Sequence, residues 1–476
     1  MTIKQALLAL FCSTLIGCAA PKPVAGPTPL SEVPLAGTEL PAGAPWPTPN
    51  WWQRYQDPTL DQLVTTALAD NPTLAAARAR YQSARESVRI TAAATGAHVD
   101  AAAQSTRQRL SDNGLFPPEF LGFNWYNLTD VGISASYTFD WWGKQRASVE
   151  AATDEAHAAA ADRAAAALVL ASAVADTYFG WQADQARLAL VEDRIAILTH
   201  ADAIAAARLR AQIDAADEQT RVAADLAAAG EQQAGLRASA QLRRVALAAL
   251  TGHALAQLPT LEARVLPVLP ATVPERLHLD LLARRPDIAA SRWRVEAAQG
   301  RRHVAAAQYY PDVSIKALLG LESMELNKLL LTESSNPMVG VAVHLPLFDN
   351  GLRAAQLSAA DSEVNAAIAT YNDAIISAAR EVASNVIAGE QAAAERAQHL
   401  AQLQATTELQ QTATARARQG LTDIRPALSA ESAVLVQRDA VVQLDAAGLS
   451  ADIALQRALG GGFQDSPGSA GLAYAP

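Results

Sequence analysis

The chain carries one pattern twice, and that duplication restricts the fold more than any single motif does. "NPTLAAARARYQSARESVRITAAATGAHVDAA", beginning at Asn71, lies over "RPDIAASRWRVEAAQGRRHVAAAQYYPDVSIKA", beginning at Arg285, at a constant offset. Pro72 matches Pro286, Leu74 matches Ile288, Arg78 matches Arg292 and Val99 matches Val313. A second matched pair follows, "VGISASYTFDWWGKQRA" (Val131 to Ala147) and "VGVAVHLPLFDNGLRAA" (Val339 to Ala355). Phe139 and Asp140 fall over Phe348 and Asp349, and Gly143 over Gly351 with one residue fewer in the later copy. Each half reads as helix, strand, loop, strand, long helix and further helix, so one supersecondary plan is used twice.

Four segments have the two-residue period of strands. Val131, Ile133, Ala135, Tyr137 and Phe139 share one face, opposite Gly132, Ser134, Ser136 and Thr138. Val339, Val341, Val343, Leu345 and Leu347 repeat the arrangement, opposite Gly340, Ala342, His344 and Pro346. Val313, Ile315, Ala317 and Leu319 form a third set, and Val99, Ala101 and Ala103 a weaker fourth. Segments of about ten alternating residues suit a transmembrane β-strand, and half-buried strands of soluble proteins alternate too.

The helical stretches narrow that choice. No proline occurs between Pro118 and Pro259, nor between Pro346 and Pro426. Residues from Lys144 to Gln212 predict one helix of roughly 100 Å at about 1.5 Å per residue, too long for a compact domain. Val364, Ile368, Tyr371, Ile375, Ala378 and Val382 follow a 4-3-4-3-4 rhythm. Leu428, Leu435, Val442 and Leu449 recur every seven residues, and Leu188, Val191, Ile195 and Leu198 add a third seam. Sustained heptads mean coiled-coil packing. A soluble bundle would explain the heptads and leave four matched strands idle. If the strands lie in a membrane, four cannot close a barrel, and an open edge is not tolerated in hydrocarbon. Two copies would give a barrel filled by its own side chains, whereas three would leave a lumen.

The ends and the composition set the compartment. Lys4 precedes a short apolar run, Ala6 to Phe11, that cannot span a bilayer. It leads into Leu15-Ile16-Gly17-Cys18, which resembles the bacterial lipobox, where cleavage leaves Cys18 first and lipid is attached to it. Cys12 is the one other cysteine, so the mature chain would hold no disulfide and no thiolate metal site. Nine prolines between Ala19 and Asn50 predict an extended strap. The chain has 476 residues, half of them hydrophobic but only 5% aromatic. Much of the apolar content is alanine, which favours long helices. A net charge of −10 argues against a nucleic-acid partner. After the signal no run of 18 strongly apolar residues appears, so no transmembrane helix is expected.

Several short motifs, in order and spacing, carry a resemblance. They are Trp51-Trp52, Asp57-Pro58-Thr59-Leu60-Asp61-Gln62-Leu63, Asn71-Pro72, Arg284-Arg285-Pro286-Asp287-Ile288, Tyr310-Pro311-Asp312, Pro346-Leu347-Phe348-Asp349-Asn350-Gly351 and Ala458-Leu459-Gly460-Gly461-Gly462. Over nearly its whole mature length the chain resembles the outer membrane factor family of TolC-like efflux channels, in the lipoprotein branch labelled NodT. The resemblance implies a mainly α protein with a transmembrane β-barrel part. It would be a homotrimer whose twelve-stranded barrel continues into a periplasmic α-helical coiled-coil tunnel. A mixed equatorial region would come from residues near Leu258 to Leu277 and the chain ends. The implied partners are a periplasmic membrane-fusion adaptor, an inner-membrane transporter of RND, MFS or ABC type, and outer-membrane lipid. No cofactor is expected beyond the covalent lipid on Cys18. The expected organisation is a signal peptide over residues 1–17 and an anchor and strap over 18–50. A first repeat, 51–260, would hold strands at about 97–107 and 129–140; a second, 261–476, would hold strands at about 311–320 and 338–348 and a Gly-rich end.

In the family two helix–helix turns per protomer close the periplasmic tip. Here they fall near Ala211 to Glu218 and Arg418 to Ser432. The second, "RQGLTDIRPALSAES", keeps the family's Gly420, Leu428, Ala430 and Glu431, but Pro426 and Ser429 stand where many relatives carry acidic residues. Asp423, Arg425 and Glu431 are therefore candidates for a substitute charge pattern; a solvated helix end is the alternative. The first turn lacks its glycine, with Ile213 near that position, and Asp214 and Asp217 are the candidate gate residues there. Asp140, Gly143, Asp349 and Gly351 mark the strand-to-helix junctions. His344 lies on the polar face of the fourth strand and would face a lumen. The other histidines lack metal-ligand spacing. Trp141, Trp142, Tyr309 and Tyr310 sit at strand ends, which suits interfacial aromatics better than the alternative of buried anchors. No nucleophile elbow, P-loop, catalytic carboxylate pair or CxxC occurs, so no enzyme is expected. Three readings remain at this point: an efflux duct, a type I protein-secretion channel, and a periplasmic coiled-coil scaffold lipoprotein.

Overall fold

In the computed structural model, residues 24–31, 43–113, 117–268, 272–274, 281 and 283–464 are described. Cys18 and the signal peptide lie outside these residues. The described chain is mainly helical. In order it forms α1 (Pro58–Asp70), α2 (Pro72–Thr95), β1 (His98–Arg109), the one-turn α3 (Pro118–Leu121), β2 (Trp125–Phe139), α4 (Lys144–Arg210) and α5 (Ala216–Thr251). The second half repeats the order with α6 (Pro286–Ala307), β3 (Asp312–Ser323), β4 (Ser335–His344), α7 (Leu352–Arg418) and α8 (Arg425–Ala458). Both long helices, α4 and α7, have 67 residues. The repeat is thus kept in the lengths of the long helices and of β1 and β3, 12 residues each, whereas β2 has 15 residues and β4 has 10.

Local chemistry sets the starts of the helices. Asp57 caps α1 by accepting from the Thr59 and Leu60 N–H groups, with Pro58 at the first helical position. Asn71 treats α2 alike: its Oδ1 accepts from the Thr73 and Leu74 N–H groups, and its amide donates to the Leu250 carbonyl. The expected strands are present with shifted ends. β2 begins at Trp125 and not near 129, β3 continues to Ser323, and β4 covers Ser335–His344 and not 338–348. β4 stops where it does because Pro346 has no N–H to donate and biases the residue before it. Leu345 and Leu347 therefore lie beyond the strand.

The chain folds into two compact units, and each draws on both halves of the sequence. Among the described residues, one comprises those within 24–28, 82–157 and 292–370. It contains a single antiparallel sheet in the order β1-β2-β3-β4, together with parts of α2, α4, α6 and α7. The other comprises the described residues within 29–81, 158–291 and 371–464 and holds the larger hydrophobic core. There Trp51, Trp52, Tyr55, Leu60, Leu63 and Val64 pack with Val174, Tyr178, Phe179, Leu247, Leu449 and Ile453. Two tyrosine hydroxyls inside this core are matched, Tyr178 donating to Asp57 at 2.8 Å and Tyr55 to Asp452 at 2.7 Å, whereas the buried Trp51 indole N–H has no partner among the described residues. Arg285, from the Arg-Arg-Pro-Asp motif, is buried and binds Asp287, Glu381 and the Ala458 carbonyl. Gly460, in the closing glycine run, has φ +87, and a Cβ there would run into the Arg284 carbonyl. Only glycine fits that turn.

Most members of the heptad seams are buried: Ile368, Tyr371, Ile375, Ala378 and Val382 on α7, Leu428, Leu435, Leu449 and Ile453 on α8, and Val191 and Leu198 on α4; Val364, Val442, Leu188 and Ile195 are half-buried. One finding differs from the sequence expectation. α4 contains an 18-residue window long and apolar enough, by length and composition only, to cross a membrane. Alanine counts as apolar by composition, yet each methyl removes little area from water. At about 1.5 Å per residue the helix exceeds a bilayer core of about 30 Å roughly threefold.

Candidate functional site: sheet faces, junctions and helical tips

Cross-strand register places every odd-numbered residue of the sheet opposite another odd-numbered one. Ala101 pairs with Ile133 and Ile133 with Leu319; Ala135 pairs with Ala317 and Ala317 with Val339; Tyr137 pairs with Ile315 and Ile315 with Val341. The result is one continuous apolar face, and its side chains stand out from the chain. Val339 is 75% exposed, Val341 69% and Leu319 67%. The even face carries Asp100, Asp130, Ser134, Ser136, Lys316, Glu322 and His344. Glycines 132 and 320 pair there across the strands, beside a hollow of about 230 Å³ lined also by Gln104, Asp130, Glu322 and Asn336. β1 and β4 are the two edges, with no partner strand within the described chain.

At the first junction Asp140 caps α4, its two carboxylate oxygens each accepting at 2.9 Å, from the Gln145 and Arg146 N–H groups. Gly143 takes φ +72 between the strand and the helix. At the second, Asp349 accepts from the Gly351 and Arg353 N–H groups and from the Arg353 guanidinium at 2.6 Å, which holds its carboxyl below the usual range. Gly351 takes φ +86. The aromatic pair divides its work. Both rings are exposed; Trp142 stacks on Tyr310 at 4.6 Å and donates to the Pro311 carbonyl, and Trp141 stacks on Phe139 at 5.8 Å. Lys144 reaches Asp312 at 3.1 Å, so the start of α4 is tied to the start of β3.

Near this junction α4, α6 and α7 leave a cavity of about 670 Å³ lined by Arg146, Glu150, Asp154, Glu296, Arg302 and His303, among others. Burial pushes the Asp154 carboxyl up to about 6, Glu296 and Glu150 add to the shift, and Arg292 opposes it. Arg302 is engaged by the buried Asp361 at 2.5 Å. Among the described residues no group of three or more His, Cys, Asp or Glu side chains could hold a metal ion.

The two helical turns bring together residues about two hundred positions apart. Arg208 Nε lies 2.7 Å from Asp214, and Arg425 Nη1 reaches the same carboxylate at 2.9 Å. Arg208 Nη1 also approaches Asp423 at 3.4 Å, and Asp423 binds the Arg425 guanidinium at 2.9 Å. Two cations and two anions thus form a closed quartet across both turns. The Arg208 hydrogen bond holds the Asp214 carboxyl below its usual range, and the Arg425 N–H does most to lower Asp423. Asp214 raises Arg208 in return. Of the expected candidates, Asp214, Asp423 and Arg425 meet here. Asp217 lies at the start of α5 and accepts from the Glu218 N–H, and Glu431 is exposed on α8; neither belongs to the quartet. Arg208 is the member that sequence reasoning missed. Its signal was an arginine in the last turn of a helix with an aspartate six residues on.

Both turns close by the same backbone device. Gly420 has φ +72, and the Leu421 N–H returns to the Arg416 carbonyl. Gln212 has φ +57, and the Ile213 N–H returns to the Arg208 carbonyl. These are Schellman closures. The residue standing in for glycine in the first turn is therefore Gln212, one position before the expected Ile213.

A family model described as outer membrane efflux protein matches residues 63–253 and 277–461, most of the chain in two stretches. The chain belongs to the outer membrane efflux protein family. It is 31% identical over 443 residues to the multidrug resistance outer membrane protein MdtP of Escherichia coli K12, covering 92% of this chain and 91% of that one. It is 32% identical over 449 residues to MdtQ of Escherichia coli O157:H7, with 92% of each covered. Among solved structures, VceC from Vibrio cholerae aligns with TM-score 0.79 and 31% identity, covering 88% of this chain and all of that one. The outer-membrane channel OprN aligns with TM-score 0.82 and 26% identity over 94% of this chain and 99% of its own. The fold is that of the TolC-like outer-membrane channels, and the chain is an outer-membrane efflux protein.

Proposed function

We propose that three copies join their sheets, β1 of one to β4 of the next, into a twelve-stranded barrel, and that the assembly is the passive exit duct of a tripartite efflux system. A periplasmic adaptor and an inner-membrane transporter would supply substrate and energy; this chain would supply the pore. The observation carrying this reading is the pairing of two open edges with one exposed apolar belt that crosses all four strands. An open edge in hydrocarbon leaves N–H and C=O groups without partners, at several kcal/mol each, and closure with other copies removes the edges. The even face, with its serines, glycines and charges, then lines water, as in membrane barrels generally.

The quartet of Arg208, Asp214, Asp423 and Arg425 acts as an ionic latch on the closed periplasmic tip, in place of the acidic ring that Pro426 and Ser429 interrupt. Asp140 with Gly143 and Asp349 with Gly351 turn each strand pair into its long helix. Cys18 carries the lipid that adds a second membrane attachment. Small toxic compounds are the favoured cargo over secreted proteins, because relatives similar along nearly the whole chain are multidrug resistance proteins by description. Conductance of the purified protein in planar bilayers tests the reading. Asp214→Asn in the latch raises the open probability of a duct; a scaffold shows no conductance with or without the substitution.

A further inference from the structure

Charge is distributed over the sheet in an uneven way. The even face carries acidic and basic side chains along its length. On the odd face, among the residues of all four strands, the charged side chains are Arg107 and Arg109, both at one end of β1. That end is opposite the one from which β2 leads into α4. Going outward, the apolar rung Ala103–Val131 is followed by Ser105–Thr129, joined at 2.9 Å, then Arg107–Asn127 and Arg109–Trp125. Arg107 therefore lies about 13 Å along the strand beyond Ala103 at about 3.3 Å per residue, past the apolar belt.

Arg107, Arg109 and Trp125 form one cationic and aromatic cluster over these two rungs. The Arg107 guanidinium lies 5.7 Å from the Trp125 ring centre, and Trp125 is 55% exposed. Arg109 meets Asp112 at 3.1 Å, but both partners are more than half exposed, and such a pair competes weakly with a better anion. A guanidinium presents a planar fork that binds phosphate through two N–H bonds, and indole favours the membrane interface. The acids Asp130 and Glu322 stand on the even face and so lie away from this cluster.

We propose that Arg107 and Arg109, backed by Trp125, hold the phosphate of a lipid in the outer leaflet of the surrounding membrane. The inference rests on the reading above that the odd face meets lipid. It makes the rim of β1 a headgroup seat on a chain whose net charge, −10, would otherwise repel anionic lipid.

The purified trimer is mixed with lipid A, or with lipid A stripped of its phosphates, and retained lipid is counted by native mass spectrometry. Arg107→Gln with Arg109→Gln is expected to lose about fivefold or more of the phosphorylated lipid and to leave the dephosphorylated lipid unchanged. Arg107→Lys with Arg109→Lys keeps the charge and loses the fork, so it falls between. Equal retention by the Gln variant and the unaltered protein overturns the inference. So does displacement of the lipid by inorganic phosphate, which would make the seat one for a free ion. In parallel, a spin label on Val339→Cys reports whether the odd face lies in lipid. A label in lipid with unchanged retention sinks the headgroup seat alone; a label in water sinks the barrel reading and the seat with it.

Discussion

Replacing Val339 by arginine sets a cation at the centre of the apolar face, on the rung it shares with Ala317 and Ala135. Its side chain is 75% exposed in the single chain, so the substitution creates no clash and any penalty must come from the surroundings. At the midplane of a bilayer, arginine on the lipid side of a barrel costs about 2–4 kcal/mol. Three copies would give roughly 6–12 kcal/mol per trimer, and about 3 kcal/mol per protomer alone is more than a hundredfold in an equilibrium constant. Met338→Arg is the matched control. It is the adjacent residue, paired with Leu318 on the even face, and is 55% exposed. A step of one residue changes the face and little else. Trimer yield after folding into vesicles, read on semi-native gels across a urea series, should fall for Val339→Arg and stay near the unaltered level for Met338→Arg. Val341→Arg, one rung nearer the aromatic end marked by Tyr137 and Phe139, should show an intermediate loss. Equal yields for the 338 and 339 variants would refute the assignment of faces, and with it the barrel.

Gln212→Gly should stabilise the first helical turn by about 1 kcal/mol, because a left-handed residue with a Cβ carries a penalty of about 1–2 kcal/mol that glycine's entropy offsets in part; slower hydrogen exchange across residues 208–214 would show it. Asp214 and Asp423 have lowered carboxyls, so the latch is fully present above the ordinary carboxylate range and lost as pH falls through their depressed values. Bilayer conductance should therefore rise in acid for the unaltered protein, and Asp214→Asn should remove most of that acid response. Asp154 has the opposite sign: raised to about 6, it destabilises the fold above that pH and relaxes as pH falls toward the ordinary carboxylate range. Asp154→Asn should raise the melting temperature at neutral pH by an amount worth about 1–2 kcal/mol, after allowing for partial screening, and do nothing near pH 4. Cys18→Ser should abolish incorporation of labelled palmitate; retained label would place the lipid on another residue.

The helical tip shows how far the sequence could be read. The family resemblance placed both turns; Asp423, Arg425 and Glu431 stood out because Pro426 and Ser429 occupy two expected acidic positions, and Asp214 and Asp217 because they lie in the turn that lacks its glycine. Arg208 did not stand out. An arginine in the last turn of a helix commonly serves the helix end alone, and only folding shows that it reaches an aspartate on its own turn and another on the second turn. The shifted position of the missing glycine has a similar origin. A Schellman closure is defined by which N–H returns to which carbonyl, and the sequence does not record that.

Two matters were determined by the sequence alone. The duplicated order of elements is written in matched motifs, and the periods of two and of seven state which segments are strands and which are packed helices. Periodicity needs no partner to be seen, because it arises from backbone geometry. Register and ionic pairing belong to the tertiary structure. That odd residues meet odd residues across all four strands, leaving two arginines alone on the apolar side, follows from how β2 pairs with β3 across some 170 intervening residues. That the tip closes through four charges follows from the meeting of two turns on separate halves of the chain. Both depend on distances in space that separation along the chain does not encode.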